Sequence, residues 1–596
     1  MSSSTSQTGA ENIVWNLSDL YSSDTDPVFL RDLDSIESVA DAFRMRWHGR
    51  LAEIDDAMFA TMVGEYGVIL EQLDRLGSFA YLQWSTDTDN PSYGRTLQNV
   101  REKSAAAWRH IVFVSVSIAQ LPEARLLELL ASAPLAPYKH WLQQAVVHRP
   151  HVLSEEVEQV LSEKHLTSRM AWVRLHDEVS AQQTFHLNGQ EYTEASLISL
   201  LHEPHRDTRR AAAEALTAGL KEQIRTQAFI FNTVLADKMI DDRLRKYPTW
   251  LSARNNENEV SDASVQSLID SVTSRYDIVR RLYALKKTVL GLDTFYDYDR
   301  YAPLSTEKEN ISWSDARSLV TSTYADFHQE AGTIVKKFFE NNWIHAPVRK
   351  GKSGGAYSAG TIPSAHPYVF MNYTGSARDV QTLAHELGHG LHQYLSRRQG
   401  ILQMDTPLTI AETASVFGET ITFRRLLANA TPERSLALLV AKLDDTVSTV
   451  FRQIALNRFE HAVHSARRSE GELSVDRIGE IWMLTQRDQL GDAVVFSPGY
   501  EYWWSYISHF LHTPGYVYAY AFGELLVLAL AEKYLADPDG FPEKYMDLLR
   551  AGGSKRPSEL LAPFDINIDD PAFWNIGLNV IERMLVEAET LARTSS

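Results

Sequence analysis

The chain of 596 residues contains no cysteine, which excludes a disulfide-stabilised scaffold and a zinc finger built on thiolates. The sequence also lacks an excess of basic residues. Its 58 Lys and Arg stand against 77 Asp and Glu, for a formal net charge of −19. A chain with this balance offers phosphate groups no overall attraction. We therefore expect no nucleic-acid partner.

Long apolar runs are scarce as well. The Ser- and Thr-rich residues 1–12 have neither the basic segment nor the apolar segment of a signal peptide. The longest apolar stretch, near residues 516–531, is short for a membrane span and contains Glu524. The sequence therefore predicts no membrane partner and a cytoplasmic location.

Helical periodicity dominates what the sequence does contain. Apolar residues make up 44% of the chain, which is too many for a disordered polymer. They recur at positions i, i+3, i+4 and i+7 in residues 154–164, 206–221 and 437–466. Few segments alternate with period two, and the clearest strand candidates are 183–187 and 368–373. We expect a mainly α fold with a small β-sheet.

A domain boundary is predicted in the segment 201–206, which contains Pro204. It divides the chain into a helical domain over 1–205 and a second domain over 206–596. No change of composition marks a flexible linker at this point, so the two parts are expected to pack together.

A loop is predicted over residues 341–363, which are rich in Gly, Ser and Pro. Its glycines, Gly355 among them, predict either a mobile loop that closes over a substrate or an ordinary hairpin connection. Asn372, in the strand candidate that follows, is a candidate for capping the chain locally or for contacting a substrate.

The most informative motif is the segment His-Glu-Leu-Gly-His at 385–389. On a helix, His385 and His389 lie on one face, about 6 Å apart along the axis, so both imidazoles can bind one Zn²⁺. Glu386 can then reach a zinc-bound water, whose pKa the metal lowers, and take its proton. This arrangement is the basis of the HExxH motif of metallopeptidases.

Neighbouring residues support a helix over this motif. Ser376 followed by Asp379 has the pattern of an N-cap with an acidic third position. Gly388 inside the helix costs about 1 kcal/mol relative to Ala, and a small residue there would let another segment approach closely. An apolar ridge repeats every four residues, at Leu383, Leu387, Leu391 and Leu395.

A catalytic zinc site needs a third protein ligand, and two residues are candidates. His392 shares the face of His385, but a straight helix places it about 10 Å further along the axis. Glu412 and Glu419 share one face of a following, mostly apolar segment, where two carboxylates are costly unless they bind something. The favoured arrangement has Glu412 on the zinc and Glu419 behind it, hydrogen-bonded to a ligand histidine.

The motifs together resemble those of the M3 family of zinc peptidases, which includes oligoendopeptidase F and thimet oligopeptidase. The similarity is strongest between about residues 350 and 525 and weaker before. It rests on these segments: HELGHGLH at 385–392, AETAS at 411–415, YVFMNY at 368–373, DVQTLA at 379–384, HF at 509–510, PGYVYAY at 514–520 and WNLSDLY at 15–21.

The resemblance implies a role for each matching residue. His385, His389 and Glu412 would bind one zinc ion per chain, and Glu386 would act as the general base. His509 would help to stabilise the tetrahedral intermediate.

The resemblance is less clear for the tyrosines that bind substrate and the developing oxyanion. Tyr516 and Tyr520 match such tyrosines, but the thimet branch has a further Tyr where this chain has Gly523. Which of Tyr516, Tyr518 and Tyr520 faces the zinc is therefore left open. Tyr518 and His512 are further candidates for binding substrate.

The resemblance also implies a fold and an activity. The fold is an almost wholly helical ellipsoid with a deep channel and zinc on its floor. Residues 1–205 would form one channel wall and residues 206–596 the catalytic domain. The expected activity is zinc-dependent endopeptidase hydrolysis of short unstructured oligopeptides. An exopeptidase of the same chemistry (a dipeptidyl carboxypeptidase or a carboxypeptidase) and a catalytically silent peptide-binding protein are the alternatives. The sequence leaves the oligomeric state unknown.

Overall fold

The computed structural model describes residues 8–165, 167–305 and 310–594. Helices dominate these residues, as the periodicity predicts, and the mainly α fold is confirmed. The first thirteen helices are α1 (Pro27–Trp47), α2 (Asp56–Thr86), α3 (Pro91–Ile111), α4 (Phe113–Gln120), α5 (Glu123–Ala131), α6 (Lys139–His148), α7 (Glu155–His165), α8 (Arg169–Gln182), α9 (Glu194–Leu200), α10 (Arg206–Leu244), α11 (Ser252–Glu257), α12 (Asp262–Thr273) and α13 (Tyr276–Val289).

A second series of helices follows and carries the sequence motifs. These are α14 (Trp313–Phe327), α15 (Gln329–Glu340), α16 (Ala377–Ser396), α17 (Leu408–Ala411), α18 (Thr413–Ala428), α19 (Pro432–Thr446), α20 (Gln453–Glu470), α21 (Val475–Leu490), α22 (His509–His512), α23 (Tyr518–Ala536), α24 (Phe541–Ala551), α25 (Pro557–Leu561) and α26 (Pro571–Thr594). A π-helical turn, Val447–Arg452, joins α19 to α20.

The described strands are short and form two small sheets. They are β1 (Phe185–Leu187), β2 (Gln190–Tyr192), β3 (Ile344–His345), β4 (Tyr357–Ala359) and β5 (Tyr368–Phe370). The antiparallel pair β1–β2 turns at Asn188 and Gly189, both at positive φ. In the other sheet, β5 pairs parallel to β3 and antiparallel to β4. This sheet lies beside α16, so the small sheet predicted next to the motif helix is confirmed.

The chain divides into two compact units, each assembled from three stretches. Unit 1 comprises Met1–Glu155, Lys308–Arg425 and Leu530–Ile566. Unit 2 comprises Glu156–Glu307, Leu426–Ala529 and Asn567–Ser596. These units do not follow the predicted boundary after residue 205, because the chain returns to each unit more than once. The predicted domains, and the predicted ellipsoid with its channel, stay predictions.

The core of unit 1 packs around α16. The predicted leucine ridge of this helix is buried, with Leu383 and Leu387 fully enclosed. The hydroxyl of Tyr324, on α14, donates to the carbonyl of Ala384 on α16 at 2.7 Å. Likewise, the hydroxyl of Tyr545, on α24, donates to the carbonyl of Thr413 at 2.8 Å. These bonds join α14 to α16 and α24 to α18, and so hold two motif helices in the core.

Unit 2 has an aromatic core of its own. Phe231 on α10 stacks with the rings of Phe459, Trp504 and Phe510. The indole of Trp482 packs edge-on against Phe459. This cluster buries the segment that leads into α22, where the sequence motif around His509 begins.

The glycine-rich segment after β3 is fastened to α2 and its C-terminal end. The carbonyl of Gly351 accepts a backbone bond from Thr88, and the amide of Ser353 donates to the carbonyl of Ser85. The ammonium of Lys352 donates to the carbonyls of Pro347 and Met371. These bonds favour a fastened connection over a mobile loop. The segment is not a hairpin turn, because β3 and β4 both pair with β5 and not with each other. In the described part of the chain, no helix is both long enough and apolar enough to cross a membrane.

Candidate active site

The motif helix α16 begins at the predicted cap. The hydroxyl of Ser376 accepts from the amide of Asp379 at 3.1 Å, and the amide of Ser376 donates to the carboxylate of Asp379 at 3.1 Å. This reciprocal capping box satisfies two backbone donors that the first turn would leave unpaired. It fixes the start of α16 and therefore the direction in which His385 and His389 project.

Gly388 lets the backbone of α18 come close to α16. A Cβ atom built on Gly388 would lie 2.6 Å from the Cα of Ser415, a distance that real Cβ contacts do not reach. The close approach predicted from the glycine at 388 is therefore present, and a larger side chain would not fit there. The close approach places Glu412, just before α18, opposite the two histidines of α16.

Three donor atoms converge between these helices. The Nε2 atoms of His385 and His389 each lie 3.4 Å from Oε2 of Glu412. All three ligand atoms lie within 4.8 Å of one another. Two imidazoles and one carboxylate in this arrangement match the ligand set of a catalytic zinc site that keeps a fourth position open.

His392, the alternative third ligand, lies outside this cluster. It is buried on α16, with 4% of its surface exposed, and its Nε2 has no hydrogen-bond partner among the described residues. Burial lowers the pKa of His392 to about 3, helped by the charge of His389. A neutral, enclosed imidazole is consistent with a wall residue next to the ligands.

Carboxylates surround the ligand histidines. Oε2 of Glu419 lies 3.3 Å from Nδ1 of His385. This is the predicted contact between Glu419 and a histidine of the candidate zinc site. Burial alone would lower the pKa of His385, but the hydrogen bond of Glu419 and the charge of Glu412 raise it to about 9. The site therefore has negative charge to spare and favours a cation at its centre.

Ser415 is a site residue that sequence reasoning missed. Its hydroxyl donates to Oε2 of Glu412 at 2.8 Å, and its side chain is fully buried. Burial would raise the pKa of Glu412, but the bond and charge of His389, the charge of His385 and the Ser415 bond lower it to about 2. The signal was available, since a hydroxyl three residues after a ligand on a helix faces the same side.

Glu386, next to His385 on α16, has one enclosed carboxylate oxygen. Its side chain is 6% exposed, and Oε2 has no hydrogen-bond partner in the described part of the chain. Burial raises the pKa of Glu386, although the charges of His385 and His389 oppose this. An enclosed carboxylate oxygen beside three converging donors fits a metal and a water that the side chain could contact.

A second cluster of motif residues lies in unit 2. Nε2 of His509 is 3.2 Å from the hydroxyl of Tyr520, and the ring of Tyr516 stacks on His509 with centroids 6.1 Å apart. The rings of Tyr516 and Tyr520 meet edge to face at 5.0 Å. Three of the predicted substrate-binding groups are therefore brought together.

Tyr518 is a core residue, contrary to the predicted substrate contact. Its side chain is 0% exposed. Its hydroxyl donates to Oδ1 of Asn255 and accepts from Nδ2 of Asn258, both at 2.8 Å. The choice that the sequence left open among three tyrosines narrows to Tyr516 and Tyr520. The reason is that the hydroxyl of Tyr518 is held by two buried asparagines, whereas Tyr516 and Tyr520 both contact His509.

The remaining predicted contacts have structural partners. Nε2 of His512 lies 2.8 Å from Oδ1 of Asp177. Nδ2 of Asn372 donates to the carbonyls of Ser353 and Gly355, both at 3.0 Å. Asn372 thus fastens the glycine-rich segment, and substrate binding by His512, Asn372 and Gly355 stays a prediction.

An HExxH helix with a carboxylate as third candidate ligand, from the residue just before the next long helix, is typical of the site of a metallopeptidase. Comparison with known families agrees. The family model described as peptidase family M3 matches residues 199–580, and the family model described as oligopeptidase F matches residues 118–185. The chain belongs to peptidase family M3, and the predicted resemblance is confirmed.

Relatives and solved structures extend the match over nearly the whole chain. The chain is 26% identical over 590 residues to oligopeptidase PepF of Bacillus subtilis (strain 168), covering 97% of this chain and 87% of that protein. It is 25% identical over 596 residues to an oligoendopeptidase F homolog of Lactococcus lactis subsp. lactis (strain IL1403), covering 98% and 97%. The chain is a metallo-oligopeptidase.

The fold is shared with solved proteins. Oligoendopeptidase-F from Enterococcus faecium superposes with a TM-score of 0.70 at 22% identity, over 95% of this chain and 97% of that one. A solved Chlamydophila abortus protein reaches a TM-score of 0.85 at 23% identity, over 97% and 98%.

Proposed function

We propose that this chain hydrolyses internal bonds of short, unstructured oligopeptides with one Zn²⁺ held by His385, His389 and Glu412. The observation that carries the proposal is the convergence of the three donor atoms within 4.8 Å, beside the enclosed Oε2 of Glu386. When bound, zinc supplies a Lewis acid that polarises the scissile carbonyl and lowers the pKa of a water molecule.

Glu386 is assigned the movement of the proton. Its Oε2 accepts a proton from the attacking water and passes it to the nitrogen of the leaving amine. The enclosure of this oxygen supports the role, because a carboxylate kept from bulk solvent is ready to accept a proton. Glu419 holds the ring of His385 through Nδ1, which leaves Nε2 for the metal.

We assign to His509 and Tyr520 the binding of the carbonyl oxygen of the substrate. Negative charge develops on this oxygen during hydrolysis, and a hydrogen bond from the imidazole or the phenol stabilises it by roughly 3–4 kcal/mol. The 3.2 Å contact between the two side chains supports a shared role, with Tyr516 stacked on the imidazole. A cytoplasmic location, expected from the sequence, belongs to the proposal as well.

An end-blocked nonapeptide tests the proposal. Wild-type protein is expected to cleave it internally, and a zinc chelator is expected to abolish the cleavage, with products identified by mass spectrometry. Glu386→Gln is expected to lower kcat by about a hundredfold to ten-thousandfold while zinc stays bound, because the amide cannot accept the proton.

Glu340→Gln is the matched control, since Glu340 is exposed and pairs only with Lys336 at the surface of α15 among the described residues. It should leave turnover unchanged. Near-normal turnover in Glu386→Gln, or cleavage that persists without metal, would contradict the proposal. Release of end residues from unblocked peptides alone would identify an exopeptidase.

A further inference from the structure

Two arginines of unit 2, Arg300 and Arg452, donate to tyrosines of one 3₁₀ turn, Tyr500–Tyr506, which lies just before His509 in the chain. Arg300 is the fourth residue of a short 3₁₀ turn, Asp297–Tyr301, and Arg452 ends the π-helical turn before α20. Both arginines are partly buried, and the charge of Arg300 acts to lower the pKa of Arg452. The charge of Arg452 also reaches His509, whose pKa burial lowers and this charge lowers further.

Phenol groups hold both arginines in place. Nη2 of Arg300 donates to the hydroxyl of Tyr500 at 2.8 Å, and its Nε donates to the carbonyl of Asp297 at 2.9 Å. Nη2 of Arg452 donates to the hydroxyl of Tyr506 at 3.0 Å. The guanidinium of Arg300 also lies 5.6 Å from the ring centre of Tyr500, within range of a cation–π contact.

The charge of the Asp297 carboxylate acts on Arg300, but the two side chains form no ion pair. Among the residues that the structure describes, neither arginine forms an ion pair within 4.0 Å. Oδ1 of Asp297 accepts from the backbone of Ser497 at 2.7 Å, and its Oδ2 is buried with no hydrogen-bond partner among the described residues. Burial raises the pKa of Asp297, whereas the Ser497 bond and the charge of Arg300 lower it. Asp444, bonded through Lys286 to the carbonyl of Arg300, is paired with that lysine at 2.6 Å.

Each arginine keeps donors for a ligand. The Nη1 atoms of Arg300 and Arg452 make no hydrogen bond within the described residues, and neither is sealed from solvent. Withdrawing one ion from water costs several kcal/mol unless it is paired, and two like charges repel in addition. Free guanidinium donors in such a place match the planar, bidentate geometry of a carboxylate.

We propose that Arg300 and Arg452 form a subsite for a carboxylate of the peptide substrate, either its C-terminal carboxylate or an acidic side chain. The inference rests on the proposed function, in which His509 contacts the substrate, and it names the chemistry that the substrate presents beside His509. Tyr500 and Tyr506 orient the two guanidinium groups, and the bound anion supplies the missing negative charge.

Matched peptide pairs test this subsite. The first pair shares a blocked N-terminus and ends in a free acid or an amide. The second pair is blocked at both ends and carries Glu or Gln at the same internal position. We expect wild-type protein to show a KM about tenfold lower for the charged member of one pair, because a charge-assisted hydrogen bond is lost in the neutral member. The pair that responds identifies the source of the carboxylate.

Variants at Arg452 locate the effect. Arg452→Gln should bring the two KM values of the responding pair within about twofold of each other, whereas Arg452→Lys should keep part of the difference. Arg487→Gln, at an exposed arginine of the same unit, should keep all of it. Far-UV circular dichroism checks that each variant is folded. If Arg452→Gln does not fold, a second experiment compares how strongly an acetylated dipeptide acid and its amide inhibit the wild-type protein.

The outcomes separate the subsite from the proposed function. Equal KM values for both members of both pairs would overturn the subsite while leaving peptide hydrolysis intact. If wild-type protein cleaves no peptide, calorimetric binding of the same pairs to Glu386→Gln decides. Tighter binding of the charged member, lost with Arg452→Gln, would support the subsite even though hydrolysis failed. Equal binding would overturn it.

Discussion

The hydroxyl of Ser415 bonds to Glu412, the carboxylate that we propose as the third zinc ligand. The 2.8 Å bond to Oε2 of Glu412 holds the carboxylate towards the two histidines and favours its ionised form. Groups that orient a ligand in this way typically add about 10- to 100-fold to metal affinity.

Ser415→Ala is therefore expected to weaken zinc binding by about 10- to 100-fold without releasing the metal at saturation. Competition with a chromophoric chelator measures this affinity. Ser318→Ala, at an exposed serine of α14, is the control and should bind zinc as the wild type does. An unchanged affinity in Ser415→Ala would show that the bond does not orient Glu412.

Glu412→Ala tests the third ligand itself. Two imidazoles alone leave the metal short of the three protein ligands that a catalytic zinc site uses, so the variant should lose bound zinc during dialysis. Elemental analysis after dialysis measures the occupancy. Full occupancy would mean that another group, such as His392, completes the site.

At the scale of elements, the separation of α16 and α18 depends on one missing methyl group. The Cβ of an alanine at Gly388 would meet the Cα of Ser415 at 2.6 Å, so one of the two helices would have to move. We expect Gly388→Ala to lower the free energy of unfolding by about 1–3 kcal/mol, the usual cost of overpacking, and to weaken zinc binding as well.

Gly77→Ala is the matched control for this change. Gly77 lies inside α2, and a Cβ atom there meets nothing within 4 Å. Its replacement should raise the unfolding free energy by about 0.5–1 kcal/mol, because Ala favours helix. Urea denaturation of both variants gives the comparison, and a stabilised Gly388→Ala would show that the helices are not in close contact.

The buried carboxyl group of Glu460, on α20, makes the free energy of unfolding depend on pH. Its side chain is 1% exposed, and Oε1 accepts from the amide of Gly515 at 2.9 Å. Burial raises the pKa of Glu460 to about 8, against the lowering effects of the Gly515 bond and of the charges of Arg254 and Lys238. The folded chain therefore holds a proton that the unfolded chain, with a pKa of about 4.3, releases earlier.

The sign of the dependence follows. The contribution of Glu460 to stability is complete below about pH 4 and is lost as pH rises towards 8, by up to about 1.4 kcal/mol per pH unit. Glu460→Gln cannot ionise, so its stability relative to the wild type should increase steadily between about pH 5 and pH 8. Urea denaturation of both proteins at several pH values in this range measures the difference in stability. A constant difference would mean that Glu460 is already ionised in the folded protein.

Local patterns in the sequence predicted α16 well. Its cap, its leucine ridge and its glycine each act within a few residues along one helix, so spacing alone determines them. Spacing could not separate the tyrosines of 516–520, because α23 begins only at Tyr518 and helical geometry does not extend back to Tyr516. The bond of Ser415 and the arginine pair depend on contacts between distant segments, which no local pattern contains.

At the scale of the whole molecule, zinc should contribute to stability, because the three residues proposed as its ligands come from α16 and the segment before α18 and face one another only in the folded chain. A metal that binds the folded state in about thousandfold excess over its Kd adds about 4 kcal/mol. Dialysis against a chelator is expected to lower Tm, and restoring zinc should recover it. A Tm that does not respond would mean that the folded chain holds no zinc at this site.

The order in which the chain builds its two units bears on its synthesis. Unit 1 needs Leu530–Ile566 and unit 2 needs Asn567–Ser596, so unit 1 lacks residues until position 566 has been translated and unit 2 until position 596 has been. Chains usually complete N-terminal domains while the ribosome is still translating the rest. In this chain, apolar helix faces stay exposed until these late residues have been translated. We therefore expect chaperones at the ribosome exit to bind the nascent chain.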